Sequence, residues 1–170
     1  MTSIAEKIGE LREQLERLER AQQDFSASTR LVEGLRTEAE IRGFELTVDE
    51  PRELGGTDAG PNPVELVLAA LGTCQEIVYA VYAPRAGVEL EGVEVDVEGT
   101  LDPRGFLGVS GEARPGFESV RYRVRIQSPS EPEKVRELVR LVEEHCPVLD
   151  IISNPVRTSG SAQLNGSPLA

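Results

Sequence analysis

Apolar residues recur near the start of the chain at the spacing of an α-helix. They stand alternately four and three positions apart and form one stripe: Ile4, Ile8, Leu11, Leu15 and Leu18. This stripe and the capping-box spacing of Ser3 and Glu6 predict a helix over residues 3–24. The stripe packs either on its own domain or on a second subunit, because about three heptads are too few to distinguish the two.

The next segment alternates between apolar and polar residues, which is typical of strands. Residues 29–48 alternate on both sides of Arg42-Gly43 and predict a two-stranded hairpin. Residues 49–63 are rich in Gly and Pro and predict a loop. The hairpin and the loop together lead into the most apolar part of the chain.

A long apolar helix is predicted to begin after this loop. Asn62 fits an N-cap, Pro63 the first helical position and Glu65 the third, where it completes a capping box. The helix is predicted to run to about Ala83, where Pro84 ends it. Because it is apolar on almost every face, it is predicted to be a buried central helix.

The second half of the chain predicts two more strands and a second long helix. Valines alternate with acidic residues over 93–98, and apolar residues alternate with arginines over 120–126, which predicts two antiparallel strands. A loop over 102–116 separates them. The pattern further predicts a helix from Pro132 to His145, a helical turn through Ile151 and a last strand near Val156.

This order of elements predicts an α+β protein in which antiparallel sheet wraps around a central helix. We assign residues 1–27 to an N-terminal helical extension and 28–158 to the main domain. Residues 159–170 are mostly Gly, Ser, Ala and Asn with little to bury, so we expect a disordered tail.

Composition and charge exclude several classes of function. The chain has 170 residues, a net charge of −12 and 39% hydrophobic residues, so nucleic acid is a poor partner and a membrane-spanning segment is not expected. The N-terminus lacks the apolar segment of a secretory signal, which predicts a cytoplasmic protein. Two Cys and one His are too few for a structural zinc site, and we expect neither metal nor cofactor.

The two cysteines are either buried, inert thiols or a redox pair. Cys74 lies in the middle of the apolar helix, and Cys146 ends a different helix immediately before Pro147. If the helices converge, attack of a Cys74 thiolate on a peroxide would give a sulfenic acid that Cys146 could convert to a disulfide. A reactive Cys74 needs a positive charge nearby, and the preceding hairpin offers three candidates: Arg30, Arg36 and Arg42.

The segments that surround both cysteines resemble a known family. These segments are GGTDAGPNPVEL at residues 55–66, LAALGTC at residues 68–74 and His145-Cys146-Pro147. The sequence from about residue 30 to 158 is similar to the OsmC/Ohr family of osmotically inducible and organic hydroperoxide resistance proteins. The resemblance implies an intertwined homodimer with two central helices at its middle, two active sites at the subunit interface, and cysteine-based reduction of organic hydroperoxides.

The same resemblance assigns roles to individual residues. Cys74 would be the peroxidatic thiol and Cys146 the resolving thiol. Arg36 best fits the activating arginine, with Arg42 and Arg30 as alternatives. The family pattern also implies a Glu ten residues before the first Cys.

That position is Val64 in this chain, and Glu65 is one residue late. At about 100° per residue, a position nine residues before Cys74 lies on the opposite side of an ideal helix. Glu65 therefore serves either in the site, through a distorted first turn or a contact across the dimer, or only in the capping box with Asn62. His145 either assists Cys146 or simply ends its helix, where the helix dipole favours its charge.

Two functions of different classes follow. The first is a thiol peroxidase that reduces hydroperoxides through Cys74 and Cys146 and is regenerated by a cellular dithiol. The alternative is a non-catalytic protein of the same fold that binds a small hydrophobic ligand at the dimer interface. The unusually apolar central helix predicts the dimer independently, because one small sheet does not cover it.

Overall fold

The structure, a computed structural model, describes residues 3–169; residues 1, 2 and 170 of the predicted extension and tail lie outside it. Its helices and strands follow in this order: α1 (Ile4–Glu16), β1 (Ser28–Glu33), β2 (Arg36–Ile41), β3 (Phe44–Val48), a 3-10 turn (Arg52–Leu54), α2 (Pro63–Ala86), β4 (Gly92–Thr100), α3 (Pro103–Phe106), β5 (Ser119–Gln127), α4 (Pro132–His145), α5 (Pro147–Ser153), β6 (Ala162–Leu164) and β7 (Ser167–Leu169). The mixture of helices and antiparallel sheets around one long helix confirms the predicted α+β class.

Helix α2 begins as its sequence predicts. The Asn62 side chain accepts a hydrogen bond from the Glu65 backbone at 2.9 Å, and the Glu65 carboxylate accepts one from the Asn62 backbone at 2.8 Å. The predicted end was wrong, because Pro84 lies inside the last turn. Pro84 has no amide donor but does not stop the helix, which ends at Ala86 and is capped by Gly87, whose positive φ of 64° allows its amide to reach the carbonyls of the last turn.

The core forms where α2 packs against α4, α5 and strand β4. Gly72 lies against β4, where a Cβ atom would be in ordinary van der Waals contact with Val97 and the backbone of Val95. The buried apolar residues of this cluster are Leu71, Val78, Tyr79, Ala83, Val88, Leu138, Val142 and Cys146. The two thiol-bearing helices therefore share one core.

Helix α2 is long and apolar enough to cross a membrane, with a mean hydropathy of 1.5 over an 18-residue window. The central helix of a folded core meets the same criterion, and α2 packs against both helices and sheet. Ile77 nevertheless remains 64% exposed. Part of the apolar surface of α2 is thus uncovered within one protomer.

Strands β4 and β5 pair along their whole length, as predicted. Val95 lies opposite Val124, and alternate residues face the core. The segment between these strands contains the short helix α3 rather than loop alone. Asp102 caps it by accepting a hydrogen bond from the Arg104 backbone at 2.9 Å.

The first sheet has three strands, which corrects the predicted two-stranded hairpin. Gly34, with φ of 56°, reverses the chain inside what the sequence suggested was one strand, and Arg42-Gly43 makes the second turn. We name strands β1 to β3 the N-terminal sheet. Within residues 3–169 it makes hardly any contact with the helices or the other sheets, and it exposes these apolar side chains: Leu31, Val32, Leu35, Ile41, Phe44 and Leu46.

Both chain ends differ from expectation. Helix α1 has the predicted capping box of Ser3 and Glu6 but ends at Glu16, eight residues before the predicted end at 24. It contacts α2 while most of its surface stays exposed. Near the C-terminus, β6 and β7 form a hairpin in place of the disordered tail and of a strand near Val156.

Candidate active site

The fold brings the two cysteines together from positions 72 residues apart. The Sγ atom of Cys146 lies 3.5 Å from the Sγ atom of Cys74, and both residues are free thiols. A disulfide requires a sulfur separation of about 2.05 Å, so a movement of about 1.5 Å would join them. The convergence of helices α2 and α4, on which the redox interpretation depends, is therefore present in the protomer.

Cys146 occupies the junction between two helices. It follows the last residue of α4 and precedes α5, with an extended backbone at φ −77° and ψ 110°. Pro147 explains this break, because a proline disfavours helical geometry in the residue before it. The Cys146 carbonyl still accepts a hydrogen bond from the Asp150 amide at 3.0 Å, which fixes the first turn of α5.

The two thiols differ in their exposure. Cys74 is half-buried, whereas Cys146 is only 1% exposed. Burial raises the pKa of Cys146, and the nearby Cys74 raises it further, while the backbone amides of Leu149 and Val148 act in the opposite direction. Cys146 is accordingly a protonated thiol at neutral pH, and Cys74 is the thiol that solvent and small molecules can reach.

A polar group lies in the core beside these thiols. The Tyr122 hydroxyl donates a hydrogen bond to Oε1 of Glu143 at 3.1 Å, and burial raises the pKa of Tyr122. Tyr79 is buried nearby, and desolvation together with the charge of Glu143 raises its pKa to about 12. The Gln75 side chain is also buried, and neither of its amide atoms forms a hydrogen bond with a residue in the described range 3–169.

A cavity of about 320 Å³ lies in the same part of the core, although neither cysteine lines it. Two of its lining residues, Leu71 and Leu149, lie one helical turn from Cys74 and Cys146, respectively. Apolar or aromatic side chains and polar or charged ones share the remaining lining: Val67, Phe117, Val120, Tyr122, Ile152, Ser119, Ser153, Arg114 and Glu118. This space is suited to the apolar part of a small organic molecule.

The three candidate arginines all lie in the N-terminal sheet, where each has a local partner. Arg30 forms an ion pair with Glu38, and Arg42 stacks over the Phe44 ring. Arg36 lies 3.4 Å from the Glu33 carboxylate, and its buried Nε atom has no partner among residues 3–169. The structure therefore does not bring Arg36 to Cys74 within the protomer.

The other two sequence candidates serve helix ends. The Glu65 carboxylate is used in the capping box of α2. His145 is exposed; its Nδ1 atom lies 2.8 Å from the Leu141 carbonyl, and its ring packs 5.0 Å from that of Tyr82. A catalytic role for Glu65 stays a prediction, because the observed contact explains its position without one.

The sequence analysis missed the residue that shapes the loop before α2. Asp49 is buried, and its carboxylate accepts hydrogen bonds from the Thr57 hydroxyl at 2.6 Å, the Thr57 amide at 2.9 Å and the Ala59 amide at 3.2 Å. The Thr57 hydroxyl is the largest cause that lowers the pKa of Asp49 to about 2. The sequence could have indicated this contact, because an Asp at the end of a strand is followed by a Thr in the Gly-rich loop.

Two glycines let this loop fold tightly on the N-terminal sheet. A Cβ atom at Gly56 would overlap the Glu50 carbonyl, and one at Gly60 would overlap the Thr47 carbonyl. The loop thereby links the sheet that carries the arginines to the start of the helix that carries Cys74.

Comparison with known proteins identifies related chains. A family model described as OsmC-like protein matches residues 56–159. An uncharacterized protein of Bacillus subtilis (strain 168), YmaD, is 34% identical over 56 residues, which are 33% of this chain and 37% of that protein. The match thus spans little more than a third of that relative's length.

Solved structures agree over most of the chain. The crystal structure of an OsmC-like protein from Mycoplasma pneumoniae has a TM-score of 0.69 and 18% identity, covering 79% of this chain and 91% of its own. An organic hydroperoxide resistance protein OsmC from Legionella pneumophila has a TM-score of 0.59 and 25% identity, covering 78% and 91%. The first of these likenesses concerns the fold alone.

Proposed function

The chain belongs to the OsmC-like protein family, and we propose that it is a thiol peroxidase that reduces organic hydroperoxides. One observation carries the proposal: two free thiols, one half-buried and one buried, lie 3.5 Å apart. The hydroperoxide resistance protein of Legionella pneumophila, similar over most of its length, supports the choice of substrate class.

The proposed reaction has three balanced steps. The Cys74 thiolate attacks one peroxide oxygen, the O–O bond breaks, and the departing alkoxide takes up a proton, which leaves an alcohol and Cys74 sulfenic acid. The sulfur of Cys146 then attacks that of Cys74, the S–O bond breaks, and the hydroxyl group leaves as water. An external dithiol reduces the disulfide and is itself oxidised to a disulfide.

We further propose that the active form is a homodimer. The N-terminal sheet has little contact with its own helices and exposes apolar side chains, and part of α2 is uncovered. A second copy that received this sheet would bury both surfaces. It would also give the unpartnered Nε of Arg36 a new environment, and an arginine close to a cysteine favours the thiolate.

On the same chemical grounds we propose a cytoplasmic location and regeneration by a cellular dithiol. Redox-active thiol pairs cycle where cellular dithiols keep cysteines reduced, which supports a cytoplasmic location. The cavity supports hydroperoxides with an apolar group over hydrogen peroxide, since burial of apolar surface adds binding free energy that hydrogen peroxide does not gain.

A second candidate function is the binding of a small hydrophobic ligand without chemistry. The cavity favours it, and so does the engagement of Arg36 and Glu65 in local contacts within the protomer. The two functions differ in what happens to the thiols, because a ligand-binding protein leaves both of them reduced.

Stopped-flow oxidation of the reduced protein with one equivalent of cumene hydroperoxide tests the proposal. We expect loss of both thiols, formation of cumyl alcohol and a Cys74–Cys146 disulfide within one chain by peptide mapping. Cys74→Ser should abolish peroxide consumption, whereas the matched variant Cys146→Ser should consume one equivalent and stop as sulfenic acid. Equal peroxide consumption by both variants would contradict the peroxidase and leave ligand binding as the better explanation.

A further inference from the structure

Tyr122 and Glu143 connect the buried thiol region to the surface. Tyr122 packs against the core cluster that contains Cys146, and its hydroxyl donates to the Glu143 carboxylate at 3.1 Å. Glu143 lies in the last turn of α4, three residues before Cys146, which caps that helix, and Glu143 is exposed to solvent. This hydrogen bond thus joins a side chain packed on the core to a carboxylate in contact with water.

The attack of Cys146 on Cys74 presents a specific chemical problem. The nucleophile in disulfide formation is a thiolate, and a buried, protonated Cys146 has to lose its proton during the attack. Its side chain is 1% exposed, so bulk water has almost no direct access to that proton. At rest the Cys146 S–H donates to the Cys74 sulfur at 3.5 Å, the atom that it attacks, so the proton has to pass to another acceptor as the S–S bond forms.

Building on the peroxidase function proposed above, we propose that Tyr122 and Glu143 carry the Cys146 thiol proton away as its sulfur attacks Cys74. The thiol proton passes to the Tyr122 oxygen while the Tyr122 proton passes to the Glu143 carboxylate, which a phenol allows because it both accepts and donates. The S–S bond forms, the S–O bond breaks, and the hydroxide takes up one proton to leave as water. Glu143 supplies this proton to the hydroxide, either directly or through solvent.

Gln75 has a place in this arrangement. Its buried carboxamide lies near Tyr122 and opposes the rise in the pKa of the phenol that burial causes, although neither amide atom reaches hydrogen-bond geometry with a described residue at rest. A buried amide without a partner is costly and requires an explanation. Donation from Gln75 to the Tyr122 oxygen, as negative charge develops there, would supply the missing partner.

The other ionisable groups around Cys146 are less suited to this role. Tyr79, on α2, has a pKa of about 12 and resists ionisation. His145, on α4, is exposed and directs Nδ1 to the Leu141 carbonyl. Asp150, on α5, accepts a hydrogen bond from the Asn154 side chain at 2.8 Å.

A mixed-disulfide experiment isolates the proton transfer. Reduced full-length protein is mixed with 5,5′-dithiobis(2-nitrobenzoate), which first labels the accessible Cys74 and then, as Cys146 attacks, releases a second thionitrobenzoate. That leaving group departs as a stable anion, so the second, unimolecular phase reports the deprotonation of Cys146 without a peroxide. Cys146→Ser should show the first phase only.

We expect Tyr122→Phe to slow the second phase at pH 7 by about ten- to a hundredfold, the scale of general base catalysis, with the first phase unchanged. Its rate should rise about tenfold per pH unit, because hydroxide then removes the proton, whereas the unaltered protein should depend only weakly on pH between 6 and 8. Glu143→Gln should behave in the same way. Glu144→Gln, its exposed neighbour, should behave as the unaltered protein.

The shape of the pH profile decides the matter. The proton route is overturned if the second phase keeps the original pH dependence in Tyr122→Phe and Glu143→Gln, whether or not it is slower. A merely structural effect would lower the rate without changing its pH profile. Glu143→Gln guards against a folding artefact, since Glu143 lies at the surface. If the protein fails to reduce cumene hydroperoxide but shows the altered profiles, the peroxidase function is refuted and the proton route stands.

Discussion

Oxidation of the two thiols to a disulfide should raise the free energy of unfolding, and the size of the increase depends on how far apart the two cysteines lie in the sequence. A Cys74–Cys146 disulfide would close a loop of 72 residues, which restricts the unfolded chain. The loop-closure entropy for this length corresponds to about 4.4 kcal/mol at 25 °C. For a chain of this size, that free energy is equivalent to a rise in Tm of about 10 °C.

Forming the disulfide should strain the native structure only a little, so most of this stabilisation should remain. The sulfurs must approach by about 1.5 Å to reach bonding distance, starting from 3.5 Å. Cys146 lies at a break between two helices and has an extended backbone, while its carbonyl accepts a hydrogen bond from the Asp150 amide at 3.0 Å. We therefore expect a net gain of about 3–4 kcal/mol in the free energy of unfolding.

Urea unfolding of the reduced and the peroxide-oxidised protein measures this gain. Both samples must have the same protein concentration, because assembly also contributes to apparent stability. Cys146→Ser, treated with the same peroxide, provides the matched control and should not gain stability. An oxidised protein that unfolds at the same or a lower urea concentration than the reduced one would refute the reasoning, since the disulfide would then strain the native fold.

Three further predictions concern the loop and the N-terminal sheet. Gly60→Ala should lower the free energy of unfolding, measured by thermal denaturation, by about 1–3 kcal/mol, because the new Cβ atom would overlap a β3 carbonyl. The matched control Gly111→Ala places its Cβ atom in open space and should leave the stability unchanged. Because the pKa of Asp49 is about 2 in the fold against an ordinary value of 3.8, its stabilisation is fully present above pH 4 and lost as the pH falls towards 2. Asp49→Asn should flatten this acid limb in unfolding midpoints recorded from pH 2 to 5; an unchanged limb would assign it to other carboxyl groups. Arg36→Ala should slow cumene hydroperoxide reduction more at pH 7 than at pH 10, and an equal loss at both values would argue against a charge effect on Cys74.

Much of the helical part of the fold could be predicted because its signals are local. The start of α2 follows from Asn62, Pro63 and Glu65, and the break after His145 follows from Pro147. The paired alternation of β4 and β5 also gave their pairing. Each of these signals depends on residues within one turn or one strand, so tertiary contacts did not have to be known.

The errors arose where one residue changes the direction of the chain or where distant segments meet. Gly34 adopts a positive φ and makes a turn that divides one predicted strand into two. Asn165 and Gly166 also adopt positive φ and make the turn of the C-terminal hairpin, which replaces the predicted disordered tail. The sequence Asn-Gly favours tight hairpin turns, so the turn at Asn165-Gly166 could have been predicted from the sequence. The 3.5 Å approach of the thiols and the burial of Asp49 depend on packing between distant segments, which composition and periodicity do not contain.

The detachment of the N-terminal sheet has a consequence for hydrogen exchange. Its strands pair only with neighbours in sequence, so the sheet can form early and locally during folding. A three-stranded sheet with little apolar burial is nevertheless marginally stable, and its amides should open far more often than those of α2. Slow exchange in β1 to β3 would thus report that a second surface covers the sheet, while slow exchange in α2 would report folding. The same chain therefore contains separate probes for assembly and for folding.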